Sequence, residues 1–204
     1  MELHSNILVL ATGNRGKVRE LRELFGDLPL ELKSLADFEG IVDVEETGST
    51  FRDNAELKAR GFALQTRQLS LADDSGLEIE ALGNAPGIYS ARFAGEDSGY
   101  DVKISKLLSM LDATGDTTRR ARFVCVMSLA DSDGRAVYSA EGICPGSIAL
   151  EPRGNNGFGY DPIFIPDGFG STFGELPDEV KKRISHRAKA AELIIRYLLD
   201  FIAV

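Results

Sequence analysis

The order of strand and helix patterns along the chain most constrains its fold. Alternating or continuous β-rich runs, bounded by turn residues, predict strands at 6–11, 30–35, 69–73, 76–82, 121–131 and 135–148. Helical periodicity falls between several of them and predicts helices at 17–25, 50–65, 100–111 and 186–202. The order begins as βαβα and then changes to strand pairs. We therefore predict an α/β fold with a mixed β-sheet flanked by helices.

Two connections can be predicted in more detail. Asp133 and Gly134 lie between two long strand patterns, which indicates a β-hairpin that reverses at this pair. Residues 151–179 are rich in glycine and proline and too irregular for a regular element, and such long loops tend to be functional or mobile. No composition shift marks a linker, so we predict one domain over residues 1–204.

Net charge limits the class of partner. Aspartate and glutamate number 32 against 23 lysines and arginines, which leaves a formal charge of -9. Such a charge repels a nucleic-acid backbone, so we expect no nucleic-acid partner. A small polyanion can still bind where local cations and a divalent metal outweigh the global charge.

Cysteine usage and hydropathy indicate the compartment. Cys125 and Cys144 both lie in strand-like runs, where a free cysteine behaves as a small buried hydrophobe, and this fits a reducing environment. The start, MELHSNILVLA, lacks the features of a signal peptide, and no apolar run approaches the length of a membrane span. We expect a cytoplasmic protein without a membrane partner.

The loop at residues 12–17, Thr-Gly-Asn-Arg-Gly-Lys, follows the first predicted strand. Small residues suit any strand-to-helix connection. A loop before a helix can also bind an anion, because the loop and first-turn N–H groups are unpaired donors. It is not a P-loop, since Gly13 stands three residues before Gly16 and Val18 replaces the magnesium-binding Ser or Thr. The loop alone leaves both interpretations open.

The second predicted helix carries an anomaly on its apolar face. Phe51, Ala55 and Phe62 define an apolar stripe. Asn54 and Lys58 lie in the middle of it. A buried lysine is costly unless it is paired or its ammonium reaches water. Lys58 therefore either extends along the core to its rim or meets an anion in a cleft.

Two acidic doublets, Glu45-Glu46 and Asp73-Asp74, come next. Both have a structural interpretation, because Asp-Asp-Ser-Gly suits a turn and glutamate is favourable near a helix N-terminus. Asp73-Asp74 also ends an apolar strand, where α/β folds bind ligands. If the first and third strands run parallel, the loop and these carboxylates share one edge of the sheet. Carboxylates beside a phosphate site predict Mg²⁺ and a carboxylate base, the outline of a phosphohydrolase.

Other catalytic schemes have little support. The two histidines, His4 and His186, are too few for a His-rich zinc site, and a Ser-His-Asp triad would depend on His186 alone. The sequence has no G-x-S-x-G or CxxC motif. His186 and Arg187 follow Ser185, a predicted N-cap, and cations in a first turn oppose the helix dipole. We expect an electronegative partner, either an acidic neighbour or the edge of a ligand.

Phe158 and Tyr160 lie among glycines in GNNGFGYDPIF. Either ring could fill the core or stack on a nucleobase. An RNA-binding module would also use such rings, but the formal charge of -9 argues against it.

Five segments, in this order, carry a family resemblance: ATGNRGKVRELRELF, EETGSTFRDNAELKAR, ADDSGLEIEALGNAPGIYSARFAG, GFGYDPIF and SHRAKA. With them the chain resembles the Ham1-like inosine triphosphate pyrophosphatases over nearly its whole length. The resemblance implies a long mixed β-sheet with two lobes around a central cleft, a homodimer and a nucleoside triphosphate substrate.

The resemblance also implies roles for single residues. The triphosphate would be bound by Thr12, Gly13, Asn14, Arg15, Gly16, Lys17 and Lys58. Magnesium would be held by Glu46 and Asp74, with Asp73 close by, and Asp74 would also accept a proton. Ser75 would contact the substrate. Phe158 would stack on the base, and Gly159, Tyr160 and Asp161 would complete its substrate-binding loop. The polar edge of the base would be reached by Lys181, His186 and Arg187.

The implied reaction is hydrolysis of the α–β bond of ITP, dITP or XTP to the monophosphate and pyrophosphate. Hypoxanthine and xanthine present an acceptor oxygen at position 6, whereas adenine presents a donor amine. Arg187 or protonated His186 would therefore stay unpaired against adenine. Two alternatives remain: a nucleotide-binding sensor without turnover, and a pyrophosphatase with a different base preference.

Overall fold

The computed structural model describes residues 6–202, with side chains through Asp200, so His4 lies outside the described part. The described chain has these strands: β1 (Ile7–Leu10), β2 (Glu31–Ser34), β3 (Leu69–Ile79), β4 (Arg120–Ala130), β5 (Ala136–Ile148) and β6 (Phe164–Pro166). Its α-helices are α1 (Arg15–Phe25), α2 (Phe51–Thr66), α3 (Tyr100–Thr114), α4 (Asp178–Ile184) and α5 (His186–Ile202). None of the helices between residues 6 and 202 is both long enough and apolar enough to cross a bilayer.

The strands form one six-stranded sheet in the order β2-β1-β3-β4-β5-β6. β1 pairs in parallel with both β2 and β3, and β5 pairs antiparallel with β6. The parallel pairs follow from the βαβα start, because a parallel neighbour requires a crossover, which α1 and α2 supply. The predicted α/β class with a mixed sheet is confirmed.

The first of two compact units comprises residues 6–74, 125–142 and 187–202 of the described chain. It contains α1, α2 and α5. Its main core consists of apolar side chains from the strands and from α1 and α5, including Leu10, Phe25, Leu71, Met127 and Ile194. The predicted stripe of α2 is buried as well.

The second unit comprises Ser75–Val124 and Ile143–His186. It contains α3, α4 and β6. Its core is more aromatic and includes Leu77, Leu107, Phe123, Phe164 and Phe173. β3, β4 and β5 contribute residues to both units.

β3 differs from the prediction of two strands with a turn at Asp-Asp-Ser-Gly. It is one continuous strand, Leu69–Ile79, that includes the whole doublet. Aspartate favours turns when its side chain bonds to its own nearby backbone. Here Asp73 and Asp74 are buried and their carboxylates face cations instead, so the turn does not form.

The segment 151–179 is less irregular than predicted. It contains β6, which pairs with β5 through Gly146↔Pro166 and Ile148↔Phe164. A three-residue strand is too short for a period-two pattern, and its proline fits the edge position that β6 holds in the sheet. The β4–β5 hairpin is confirmed, with Asp131 N donating to Arg135 O at 3.0 Å and Gly134 at a φ of 76°.

Candidate active site

The parallel pairing of β1 and β3 brings the first loop and the acidic doublet to one edge of the sheet. Leu10, the last residue of β1, pairs with Leu71, and Ala11 N donates to Leu71 O at 2.8 Å. Asp73 follows two residues after Leu71, and the loop begins directly after Ala11. The two strands run parallel, which is the condition on which the shared edge of the loop and the carboxylates depended.

The loop caps α1 with its own side chains. Asn14 Oδ1 accepts from Gly16 N at 2.9 Å and from Lys17 N at 3.2 Å, and Thr12 Oγ1 accepts from Asn14 N at 3.2 Å. The prediction of unpaired first-turn donors is therefore wrong at Gly16 and Lys17, because an N-cap asparagine satisfies them. The first turn contains no acidic residue, so the positive end of the helix dipole stays available to an anion.

A buried ion-pair network lies beside this loop. Lys17 Nζ is 2.9 Å from Asp73 Oδ1. Arg187 donates through Nε and Nη2 to Asp73 Oδ2 at 3.0 and 2.9 Å, and its Nη1 lies 2.5 Å from Glu20 Oε2. Of the two partners left open for Arg187, the structure places acidic neighbours against it. Its contact with a base stays a prediction.

The charges of this network hold it ionised. Burial alone would raise the pKa of the Asp73 carboxyl, but Lys17 and Arg187 reverse this and hold it well below its usual range. Burial would lower the pKa of Arg187, and Asp73 and Glu20 raise it instead. Burial, together with the Asp73 charge, raises the pKa of the Cys125 thiol, which lies 3.7 Å from Asp73 Oδ2. Cys125 is a buried free cysteine, as predicted, and its raised pKa disfavours the nucleophilic thiolate.

Asp74 lies in a second cluster, because successive side chains of a strand point to opposite faces. Lys58 Nζ is 2.5 Å from Glu46 Oε1 and 3.0 Å from Asp74 Oδ1. Asn54 Nδ2 donates to Asp74 Oδ2 at 3.3 Å. Lys58 and Asn54 are one turn apart on α2 and so face the same way. The anion that Lys58 meets is this carboxylate pair.

The two adjacent aspartates have opposite pKa shifts. Burial raises the pKa of Asp74, Lys58 and Lys17 oppose it, and the Glu46 charge adds to the rise. Burial would lower the pKa of Lys58, but Asp74 and Glu46 raise it above its usual value. Different environments that separate the pKa values of neighbouring acids are a feature of catalytic sites.

Glu46 and Asp74 fit a divalent cation. One oxygen of each lies within 3.0 Å of the same Lys58 nitrogen, so the two carboxylates converge on one positive charge. Both oxygens of Asp73 face Lys17 or Arg187 instead. Within residues 6–202, no group of three or more His, Cys, Asp or Glu side chains could enclose a metal. Two converging carboxylates suit Mg²⁺, which takes its other ligands from phosphate and water.

In the second unit, one carboxylate orders the aromatic loop. Asp161 Oδ2 accepts from Phe158 N at 2.7 Å and lies 2.5 Å from Lys181 Nζ. Lys181 Nζ is 4.7 Å from the centroid of the half-buried Phe158 ring. A Cβ at Gly157, whose φ is 72°, would contact the Asp161 carboxylate. Phe158, Asp161 and Lys181, predicted together, lie together.

Two further residues predicted to bind the base pack into the second unit. Tyr160 is buried and donates its hydroxyl to Ser90 O at 3.0 Å, so core filling describes it. The His186 ring is buried and stacks on Phe123, with centroids 4.7 Å apart. Gly159 lies in the same loop as Tyr160, and Ser75 is half-buried.

The predicted site residues thus form two groups. The first unit contains Thr12, Gly13, Asn14, Arg15, Gly16, Lys17, Glu46, Lys58, Asp73, Asp74 and Arg187. The second unit contains Ser75, Phe158, Gly159, Tyr160, Asp161, Lys181 and His186. Sequence reasoning assigned no role to Glu20 or Asn54. Asn54 stood out as polar on an apolar stripe, whereas no local pattern marked Glu20.

Asp73→Asn is expected to destabilise the protein in a pH-dependent way. Because the folded-state pKa of Asp73 lies below that of an unfolded chain, about 3.9, its ion pairs contribute stability above that pH. This stabilisation is lost as the pH falls below the unfolded-chain value and then through the folded-state pKa of Asp73. The difference in unfolding free energy between wild type and variant should therefore be largest at neutral pH and narrow in acid. Urea unfolding of both proteins at neutral pH and in acid measures this difference. The same difference in unfolding free energy under both conditions would contradict the expectation.

The protein is thus an α/β protein with a candidate anion-binding loop at residues 12–17 and two carboxylates that converge on one lysine. The chain belongs to the Ham1 family, whose model matches residues 8–197. It is 49% identical over 191 residues, 94% of each chain, to a dITP/XTP pyrophosphatase of Desulforamulus reducens. It is also 49% identical to the dITP/XTP pyrophosphatase of Geobacillus kaustophilus, covering 90% of this chain and 89% of the relative.

Solved structures give the same assignment. A HAM1 protein from Coxiella burnetii superposes with a TM-score of 0.87 at 43% identity, covering 95% of this chain and 98% of the other. The Ham1 protein of Staphylococcus aureus gives a TM-score of 0.83 at 42% identity, with the same coverage. The family resemblance carried by the five segments is confirmed.

Proposed function

We propose that this chain is a nucleoside triphosphate pyrophosphatase. It hydrolyses non-standard purine nucleotides, ITP, dITP and XTP, to the monophosphate and pyrophosphate. Its 49% identity over 94% of a dITP/XTP pyrophosphatase supports the substrate class. The main structural support for the chemistry is that Glu46 and Asp74 converge on Lys58 at the sheet edge where the loop of residues 12–17 also lies.

The triphosphate binds to the loop that begins α1. The uncompensated helix dipole and the cations Arg15 and Lys17 favour it there. A phosphate oxygen that takes the amides of Gly16 and Lys17 replaces Asn14 Oδ1 as their acceptor. Lys58 stays charged because its pKa is raised, and it adds a cation to the phosphates.

We propose Glu46 and Asp74 as the residues that hold Mg²⁺, with Asp73 close by. When bound there, Mg²⁺ would supply polarisation of a phosphoryl group and help in activating water. The Asp74 carboxylate accepts the proton of the attacking water, and its raised pKa suits a base better than an ordinary aspartate would. Asp73 stays ionised between Lys17 and Arg187, and its ion pairs fix the positions of these two cations.

The base stacks on Phe158. Asp161 holds the backbone N–H of Phe158, and Lys181 lies over the ring. His186 and Arg187 supply donors for a 6-oxo purine, which leaves adenine with its amine opposed to a donor. The Asp73 and Glu20 partners of Arg187 fix the orientation of its guanidinium.

Phe158→Ala is expected to raise KM for dITP. Base–aromatic stacking contributes about 1–3 kcal/mol, which corresponds to about 5–150-fold. Steady-state kinetics measure this, with Phe169→Ala as control because Phe169 is another partly exposed phenylalanine of the second unit. Equal KM values in both variants would contradict stacking on Phe158.

The proposed function is tested with purified protein, Mg²⁺ and a panel of ITP, dITP, XTP, GTP, ATP and dTTP. Pyrophosphate and orthophosphate are detected separately. Pyrophosphate released mainly from ITP, dITP and XTP is the expected result. Equal turnover of every base would overturn the assigned base contacts.

We further propose a cytoplasmic, single-domain homodimer without a nucleic-acid partner. The family resemblance supports the dimer, and the formal charge of -9 supports the absence of a nucleic-acid partner. Light scattering coupled to gel filtration measures the oligomeric state, and a monomeric mass would contradict the dimer.

A further inference from the structure

Asn54 is a fully buried polar side chain in the middle of the apolar stripe of α2. A buried amide costs free energy unless both of its ends are hydrogen-bonded. Both ends of this one have a partner. Oδ1 accepts from Gly48 N at 2.8 Å, and Nδ2 donates to Asp74 Oδ2 at 3.3 Å.

The two partners fix the orientation of the amide. The Gly48 N–H can only donate, so it must face Oδ1, and an ionised Asp74 carboxylate can only accept, so it must face Nδ2. An aspartate at position 54 could bond to Gly48 but would place a like charge against Asp74. An apolar side chain would bond to neither. Asparagine is therefore the side chain of this size that satisfies both contacts.

Asp74 is held at both oxygens from one helix face. Lys58 Nζ lies 3.0 Å from Oδ1, and Asn54 Nδ2 lies 3.3 Å from Oδ2. Since Asn54 and Lys58 are one turn apart on α2, a rigid element sets the plane of the carboxylate. Asn54 is short and fully buried, so its amide has little freedom to move and restricts the position of Asp74 Oδ2.

Asn54 also holds the segment that carries Glu46. Gly48 follows Glu46 by two residues and donates its N–H to Asn54 Oδ1. A Cβ at Gly48 would lie 2.7 Å from Asn54 Oδ1 and would also overlap Asp53 Cβ. The close approach requires glycine and shows that the segment is packed against Asn54. One side chain thus contacts Asp74 directly and fixes the backbone near Glu46.

We propose that Asn54 is a positioning residue for the reaction, which orients the Asp74 carboxylate and aligns it with Glu46. The inference rests on the proposed function, because the value of the orientation lies in the chemistry assigned to Asp74. Residues that orient metal-ligating carboxylates through hydrogen bonds typically affect metal affinity or activity about 10–100-fold.

Two variants and one control test it. Asn54→Asp keeps the acceptor for Gly48 N and removes the donor to Asp74, whereas Asn54→Ala removes both. Thr66→Val is the control, because Thr66 is another buried polar residue of α2, bonded to Phe62 O at 2.8 Å and not to Asp74 or Gly48. We expect kcat for dITP to fall about 10–100-fold in both Asn54 variants. KM for dITP should stay unchanged, since the triphosphate and base contacts are intact, and Thr66→Val should match wild type.

A readout independent of turnover separates this inference from the proposed function. Mn²⁺ affinity of the nucleotide-free protein, measured by electron paramagnetic resonance, should fall about tenfold in Asn54→Ala. A wild-type kcat in Asn54→Asp, or an equal loss of kcat in Thr66→Val, would overturn the positioning role. If wild-type protein releases no pyrophosphate, the proposed function fails, and the Mn²⁺ affinity of Asn54→Ala alone decides whether Asn54 positions the carboxylates.

Discussion

Asp74→Asn is expected to lower kcat for pyrophosphate release from dITP by about 10²–10⁴-fold, the range that a positioned general base supplies. The amide cannot accept a proton and removes one of the two carboxylates that converge on Lys58. The fold should survive, because an asparagine oxygen can still accept from Lys58 or Asn54. Initial rates and thermal melting, measured on the same preparations, check both expectations.

Asp133→Asn is the matched control for Asp74→Asn. Asp133 is an exposed aspartate of the β4–β5 turn, and asparagine is equally compatible with turns. It should keep the wild-type rate. Full activity of Asp74→Asn would contradict the proposed role of Asp74 as proton acceptor.

Arg187→Met is expected to cost about 3–5 kcal/mol of unfolding free energy at pH 7, the range for breaking a buried ion pair. The guanidinium lies 2.9 Å from Asp73 and 2.5 Å from Glu20, and its loss leaves Glu20 without this cation and Asp73 with Lys17. A residue that only contacted substrate would not stabilise the unliganded protein. Urea unfolding without nucleotide measures the difference.

Arg196→Met is the control on the same helix, because Arg196 forms an exposed pair with Glu192 at 3.4 Å. Exposed pairs contribute about 0–1 kcal/mol. If Arg187→Met costs no more than Arg196→Met, the buried network does not stabilise the fold.

Local patterns predicted the elements that carry the site. The β-rich runs and helical periods located β1, α1, α2 and α5, and the βαβα order made parallel pairing of β1 and β3 a reasonable expectation. The position of Lys58 on an apolar stripe left a rim position and a buried anion as alternatives, and the structure shows the anion. Two cations at the start of α5 indicated electronegative partners, which Arg187 has in Asp73 and Glu20, whereas the His186 ring stacks on Phe123. These inferences succeeded because burial and helix dipoles act over a few residues.

Contacts between distant segments could not be predicted in this way. Glu20 and Arg187 are 167 positions apart, and no local sequence pattern near either residue indicates a contact with the other. Asp-Asp-Ser-Gly suits a turn when only its local sequence is considered. The cations that instead pair with Asp73 and Asp74 come from other elements, α1, α2 and α5, so the local sequence could not reveal them. Asn54 stood out by its position, but its bonds to Gly48 and Asp74 required the fold.

Cleavage between the α- and β-phosphates is the reaction that we propose for the cluster of Glu46, Lys58 and Asp74. Phosphorus-31 nuclear magnetic resonance of dITP with wild-type protein and Mg²⁺ tests it most directly, because every phosphorus product is resolved in one tube. We expect dIMP and pyrophosphate in equal amounts. Orthophosphate with dIDP would contradict the cleaved bond, and intact nucleotide bound to the protein would instead support a sensor without turnover.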